Sequence, residues 1–164
     1  MKLRIILLII TFISILASCI TVHEINKNEA EKIIIKYTHA LMRAYKMGKF
    51  DKLKEITTNN HYNRVVIYIQ AYTDQGEKII AELKELNLKD LKKIEKNRIE
   101  VITSESWLYE KIDHKKGTIL FPKTIYHYTL KYELIKEKNN KWKIANVVIL
   151  NEKRERINER ERKE

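Results

Sequence analysis

The residues best placed to do chemistry lie on a segment near the middle of the chain, where apolar and polar side chains alternate. Glu105 is the acidic residue on the apolar face of this segment, between Thr103 and Trp107. If that face is the interior, burial beside an indole disfavours the carboxylate, raises its pKa and suits it to general acid or base catalysis. The alternative is a structural carboxyl group that is hydrogen-bonded at the rim of a sheet or turned outward by a bulge.

Aromatic residues accompany Glu105 on the apolar faces of the predicted strands. They are Trp107, Tyr109, Tyr128, Tyr132 and Trp142. These side chains would line a ligand pocket or would simply fill a core, because their large area dominates core energetics. His127 falls on the opposite strand face and is predicted to lie at the surface.

Residue sets for other kinds of catalysis are missing from the sequence. Glycine occurs only at positions 48, 76 and 117, which leaves no glycine-rich phosphate loop and no nucleophile elbow. The five histidines, at positions 23, 39, 61, 114 and 127, do not fall at metal-ligand spacing. The sequence therefore predicts no metal site, no cofactor and no established catalytic set.

The only cysteine of the chain follows an apolar segment at the N-terminus. Lys2 and Arg4 precede an apolar run over residues 5–15, which is too short to span a bilayer as a stable helix. The sequence Leu16-Ala17-Ser18-Cys19 resembles the lipobox of bacterial lipoproteins. The alternative is an uncleaved anchor helix with an incidental cysteine.

The lipobox resemblance implies a modified N-terminus. In that family diacylglycerol is transferred to the cysteine sulfur, the chain is cleaved before the cysteine, and the new amino group is often acylated. We therefore expect residues 1–18 to be a signal peptide and residues 19–27 to be a lipidated tether. Membrane lipid would be a partner through acylated Cys19, and the protein would be anchored in the cell membrane or outer membrane, outside the cytoplasm.

The charge of the chain fits a membrane surface better than nucleic acid. The chain has 33 Lys and Arg against 22 Asp and Glu, a net charge of +11. Cleavage after residue 18 removes two cations, so the mature charge is 31 minus 22, or +9. Only eight of the cations are Arg, the residue that makes most bidentate contacts to bases and phosphates. Because the protein is expected to be exported and its cations are mostly Lys, nucleic acid is not the expected partner. Anionic lipid head groups remain a possible partner for the positive charge.

Helical patterns fill the first half of the mature chain. A capping residue and a closing glycine predict a helix from Asn28 to Gly48, and a second, short helix begins at Asp51. Apolar residues spaced three and four apart over residues 65–86 predict a third helix that runs through Gly76. We expect this stripe to be core.

Strand patterns fill the second half. Alternation predicts strands over residues 99–110, 126–134 and 142–150, and a short first strand is favoured over 88–96. Residues 151–164 carry clustered charges of both signs and are predicted to be a solvated helical extension or a frayed tail. The sequence thus predicts one domain, residues 28–150.

The strand segments resemble a known fold. Val101-x-Thr103-x-Glu105-x-Trp107-x-Tyr109, Tyr128-x-x-x-Tyr132-x-Leu134 and Asn140-Lys-Trp-Lys-Ile144 are similar to the nuclear-transport-factor-2-like, or cystatin-like, cone fold, above all to its non-enzymatic bacterial and plastid-division branches. The resemblance implies an α+β fold in which N-terminal helices pack on a curved antiparallel sheet of three to four strands. Members of the superfamily include isomerases, dehydratases, small-molecule binders and protein-interaction modules. Such cones often pair through the open sheet face, which suggests a homodimer.

Three functions are compatible with these features. The favoured one is a cell-envelope lipoprotein whose domain binds an envelope protein or a small apolar ligand without catalysis. The first alternative is an envelope enzyme that uses Glu105 as acid or base in an aromatic pocket. The second is a surface-exposed lipoprotein for adhesion or host contact.

Overall fold

The computed structural model describes residues 25–157. Three helices come first, followed by four strands: α1 Lys27–Met47, α2 Asp51–Ile56, α3 Asn59–Asp74, β1 Glu77–Glu95, β2 Arg98–Asp113, β3 Ile119–Lys136 and β4 Trp142–Arg156. The strands form one antiparallel sheet in the order β1-β2-β3-β4. The predicted α+β class, with helices before an antiparallel sheet, is confirmed. The signal peptide and Cys19 lie outside the described residues.

Helix α1 begins at a capping box two residues earlier than predicted. The Asn26 side chain accepts a hydrogen bond from the backbone N–H of Glu29 (3.0 Å), and the Glu29 carboxylate accepts one from the N–H of Asn26 (3.2 Å). Ile25 just before it is buried. The folded domain therefore includes the end of the segment predicted to be a tether. The helix closes at Gly48, whose φ of 63° is in the left-handed region.

The predicted helix over residues 65–86 is wrong beyond Asp74. Gly76 adopts a φ of 74° in a turn, and β1 starts at the next residue, far earlier than the short strand predicted over 88–96. The cause lies in β-bulges of β1, between Leu83 and Glu85 and again after Leu88. Each bulge adds a residue, so that successive apolar side chains on one face stand three apart, as they do in a helix.

Strand β4 is also longer than predicted. It continues past residue 150 to Arg156, which pairs with Thr124 of β3, so at least the first part of the segment 151–164 is strand and not a helix or a frayed tail. The charged side chains suit this position because β4 is an edge strand of the sheet and most of its end is exposed. Residues 158–164 lie outside the described residues.

Helices and strands share one apolar core. Its buried residues in α1 include Ile34 and Ala44, and those in the strands include Val101, Leu134 and Ile144. The backbone N–H of Thr58, at the start of α3, donates to the carbonyl of Ile144 in β4 (3.0 Å). Every second residue of β2 from 99 to 107 is buried, which defines the inner face of that strand. Within residues 25–157, no helix is both long enough and apolar enough to cross a membrane.

Candidate functional site: an aromatic cavity with a buried carboxyl group

A cavity of about 630 Å³ lies between the helices and the inner face of the sheet. Residues of α1, α3 and all four strands line it. The chain has nine tyrosines, and eight of them contribute to the lining. These are Tyr37, Tyr45, Tyr68, Tyr72, Tyr109, Tyr126, Tyr128 and Tyr132. Trp107 and Phe121 complete the aromatic part of the wall.

Five of the six pocket residues proposed from the sequence meet in this cavity. They are Glu105, Trp107, Tyr109, Tyr128 and Tyr132. The sixth, Trp142, is not among the lining residues. It begins β4, packs against the apolar core, and has the Lys136 ammonium 5.9 Å from the centre of its ring. The prediction that residues on an inward strand face line the pocket therefore holds for β2 and β3 but not for Trp142 of β4.

The carboxyl group of Glu105 is buried, and both of its oxygens accept hydrogen bonds. Its Oε1 accepts hydrogen bonds from the hydroxyl groups of Thr103 (2.7 Å) and Tyr132 (2.8 Å), and its Oε2 accepts one from the indole N–H of Trp107 (2.7 Å). The side chain of Glu105 is 1% exposed. It therefore points into the protein from the inner sheet face, neither at the rim nor outward.

Two opposing effects act on the acidity of Glu105. Burial raises the pKa of its carboxyl group, and the hydrogen bonds from Thr103, Trp107 and Tyr132 lower it, with burial the larger effect. The donors come from two strands, since Tyr132 belongs to β3 and the others to β2. Alternation along β2 places Thr103, Glu105 and Trp107 on the same face, which is why neighbours two apart in sequence can share one carboxyl group.

His61 and Tyr37 form a second polar pair in the cavity wall. The Nε2 atom of His61, on α3, is 3.0 Å from the hydroxyl of Tyr37, on α1. Its Nδ1 atom is buried and has no hydrogen-bond partner within residues 25–157. Burial, aided by the positive charge of Arg64, lowers the pKa of His61 to about 4. His61 is therefore neutral at pH 7.

Neither His61 nor Tyr37 was singled out from the sequence. Tyr37 lies on the apolar stripe of a helix, where an aromatic residue is usually core, and His61 carries no spacing typical of a site. The one available indication was the preference for Tyr over Phe on these faces, since nine tyrosines stand against three phenylalanines in the chain. A buried Tyr hydroxyl needs a partner, so this bias indicates an interior with polar groups in it.

The aromatic side chains of β2 and β3 form a continuous array. Trp107 stacks on Tyr109 with ring centres 5.8 Å apart, and Tyr126 stacks on Tyr128 at 5.7 Å. Tyr109 meets Tyr126 edge to face at 5.4 Å, which joins the two pairs across the strands. Such stacked and edge-to-face contacts stabilise the wall beyond the area they bury.

Charged residues also line the cavity. The Lys111 ammonium lies 5.5 Å from the ring centre of Tyr72 and forms an ion pair with Glu77 (2.8 Å). The Arg154 guanidinium lies 5.4 Å from the ring centre of Tyr126. No cluster of three or more His, Cys, Asp or Glu within residues 25–157 is arranged to hold a metal ion.

Comparison with solved structures defines the class of fold. The chain is similar to the intermembrane space region of the chloroplast protein ARC6, with 17% identity and a TM-score of 0.66 over 77% of this chain and 98% of that one. It is also similar to a type 2 hexachlorocyclohexane dehydrochlorinase, LinA, with 8% identity and a TM-score of 0.50 over 76% of this chain and 88% of that one. At these identities the likenesses concern the fold alone, and they support the nuclear-transport-factor-2-like cone.

The comparisons leave the activity open. One of the two similar proteins is named as an enzyme and the other is not, so the fold does not decide between catalysis and binding. No family model and no curated protein matches the chain.

Proposed function

We propose that this chain is a membrane-anchored lipoprotein of the cell envelope whose domain binds a small, mainly apolar molecule in the aromatic cavity and does not convert it. The observation that carries the proposal is the cavity itself, about 630 Å³ with a predominantly aromatic wall. Ligand pockets generally measure about 300–1,000 Å³, with apolar walls and a few fixed polar groups. The lipobox ending at Cys19 supports the anchor.

The state of the polar groups favours binding over catalysis. Both oxygens of Glu105 already accept hydrogen bonds, two at Oε1 and one at Oε2, so these contacts would compete with proton transfer from a substrate. His61 is already hydrogen-bonded to Tyr37. These contacts instead fix the orientation of the side chains that line the cavity, which pre-organises it for a ligand.

Fluorescence quenching tests the binding function. The chain has two tryptophans, and the substitution Trp142→Phe leaves Trp107, in the cavity wall, as the sole reporter. The probe is 6-bromohexan-1-ol, whose bromine quenches an indole on contact, added to the full chain in dodecyl maltoside micelles. We expect saturable quenching; quenching that only rises linearly, as partition into micelles produces, contradicts the proposal.

A matched pair of variants of β4 provides the control. Val147 and Ile149 line the cavity, so replacing both with Phe fills part of it. This double replacement should lower the affinity for the probe at least about threefold. Val148 and Leu150 are exposed and do not belong to the lining, so the same double replacement there should leave the affinity unchanged. Equal effects of the two pairs would mean that the probe binds elsewhere.

An envelope enzyme that uses Glu105 is the second candidate function. The observation that favours it is a carboxyl group with a burial-raised pKa beside an open cavity. In deuterated buffer, such an enzyme would exchange the acidic C–H of a cyclic ketone such as 2-tetralone faster than the uncatalysed background, and Glu105→Gln would abolish the excess. If exchange stays at background while the bromoalcohol binds, the domain is a binder.

A further inference from the structure

Within residues 25–157, no positively charged side chain pairs with Glu105. Its three hydrogen-bond donors are neutral side chains, and none of the ion pairs within residues 25–157 involves it. The indole N–H of Trp107 can only donate, and Oε1 receives two further donors, a pattern that suits an ionised carboxylate, which only accepts. A buried anion without a cation is unfavourable, so a positively charged ligand in the cavity would be stabilised by it.

Aromatic rings, whose faces attract cations, form much of the cavity wall. The Trp107–Tyr109 and Tyr126–Tyr128 stacks belong to adjacent strands and line the same cavity as the carboxylate. Ring faces carry a negative quadrupole, and a cation within about 6 Å of a ring centre is attracted to it. The wall already shows this behaviour toward the protein's own cations, since Lys111 and Arg154 each lie over a tyrosine ring.

The cations of the wall do not neutralise the buried carboxylate. Lys111 is paired with Glu77 (2.8 Å), and Arg154 with Glu152 (2.6 Å). A further carboxylate, that of Glu110, also lines the cavity. The lining therefore holds two carboxylates, Glu105 and Glu110, and two cations, Lys111 and Arg154, and both cations are paired with carboxylates outside the lining.

We propose that the ligand of this cavity is an organic cation, a quaternary or alkylated ammonium group on an apolar body. The inference rests on the proposed binding function and specifies the class of ligand. Its ammonium group would lie against the Trp and Tyr faces near Glu105, and its apolar part would occupy the rest of the cavity. Neutral and anionic ligands of the same shape would lack the electrostatic attraction.

Two probes of nearly equal shape and a smaller anion separate the effect of charge from that of size. Acetylcholine carries a trimethylammonium group, 3,3-dimethylbutyl acetate replaces its nitrogen with carbon, and 3,3-dimethylbutanoate is a small anion with the same tertiary butyl group. Isothermal titration of the full chain in dodecyl maltoside should give an affinity for acetylcholine at least about tenfold above that for the neutral ester. The anion should bind more weakly than either.

Substitutions in the wall test whether the rings and the carboxylate supply this selectivity. Tyr109→Leu keeps apolar volume but removes an aromatic ring. It should therefore lower the affinity for acetylcholine about fivefold and leave the affinity for the neutral ester nearly unchanged. Tyr62→Leu changes the tyrosine that does not line the cavity and should leave both affinities as they are. Glu105→Gln should reduce the preference for the cation; if that variant does not fold, the Tyr109 and Tyr62 pair still decides.

The outcomes distinguish this inference from the function on which it rests. If the neutral ester binds as tightly as acetylcholine, or the anion binds best, the cavity is a binding site but not for cations, and the inference is overturned. If neither acetylcholine nor 6-bromohexan-1-ol binds, the binding function falls as well. If acetylcholine binds selectively but Tyr109→Leu has no effect, the cation binds outside this cavity and the inference is again overturned.

Discussion

Replacing His61 with Gln should remove a specific part of the acid sensitivity of this domain. His61 is 5% exposed and is hydrogen-bonded through Nε2 to the hydroxyl of Tyr37. An amide at this position can still bond that hydroxyl but does not titrate. The variant therefore changes the proton binding of the site while it keeps most of its packing.

The size of the effect follows from the pKa of His61 in the two states. Burial, and after it Arg64, lowers the native pKa to about 4, whereas an unfolded histidine has a pKa of about 6.5. Between these values the unfolded chain binds more protons, so the free energy of unfolding rises with pH. The contribution of His61 is complete above about pH 6.5 and is lost as the pH falls toward 4. From pH 7 to pH 5 the loss amounts to about 2 kcal/mol.

Urea unfolding at pH 7 and pH 5, followed by tryptophan fluorescence, measures this loss. Wild type should lose about 2 kcal/mol more between the two values than His61→Gln does. His39→Gln changes an exposed histidine of α1 and should retain the wild-type pH dependence. If His61→Gln loses as much stability on acidification as wild type, His61 is not buried in its neutral form, and the described wall of the cavity is wrong at that point.

Three further predictions concern the anchor, a helix end and the buried carboxyl group. Cys19→Ala should abolish both labelling by an alkyne fatty acid and membrane association; a labelled, membrane-bound variant would contradict the lipoprotein assignment. Gly48→Ala should cost about 1 kcal/mol in urea unfolding. The reason is the φ of 63°, since nothing lies within 4 Å of an added Cβ; unchanged stability would contradict it. Because burial, against the opposing hydrogen bonds, raises the native pKa of Glu105, wild type should lose stability as the pH rises from about 4.3 through that raised pKa, and Glu105→Gln should not. Equal pH dependence in both proteins would show that Glu105 is not desolvated.

The inner face of β2 could be predicted from the sequence because inward-facing and outward-facing residues alternate along this strand without interruption. Every second residue from Ile99 to Trp107 is buried, as the pattern indicates. The bulges of the β1–β2 pair within this stretch add residues to β1, so β1 lost its strand pattern while β2 kept it. A single sequence cannot reveal a bulge, because the extra residue is visible only against the partner strand.

The cavity itself could not be predicted in the same way. Alternation identifies which side chains of β2 and β3 point inward, but the empty volume depends on how far the helices stand from the sheet. The tyrosines of α1 and α3 have the spacing of ordinary core residues. This spacing is the same whether the interior is filled or contains a cavity, so it does not distinguish the two.

What distinguishes the two interiors is the polar end of each tyrosine. A hydroxyl group is unfavourable in a filled apolar core, because burying it without a hydrogen-bond partner costs free energy. Here Tyr132 donates to Glu105 and Tyr37 bonds to His61, while Tyr68 and Tyr72 bond to each other at 3.3 Å near solvent. The hydroxyl groups of these four tyrosines thus have polar partners among the rings or at the edge of the cavity. An aromatic composition dominated by Tyr, around a carboxyl group on a strand face, therefore indicates a binding cavity more specifically than the same pattern in Phe would.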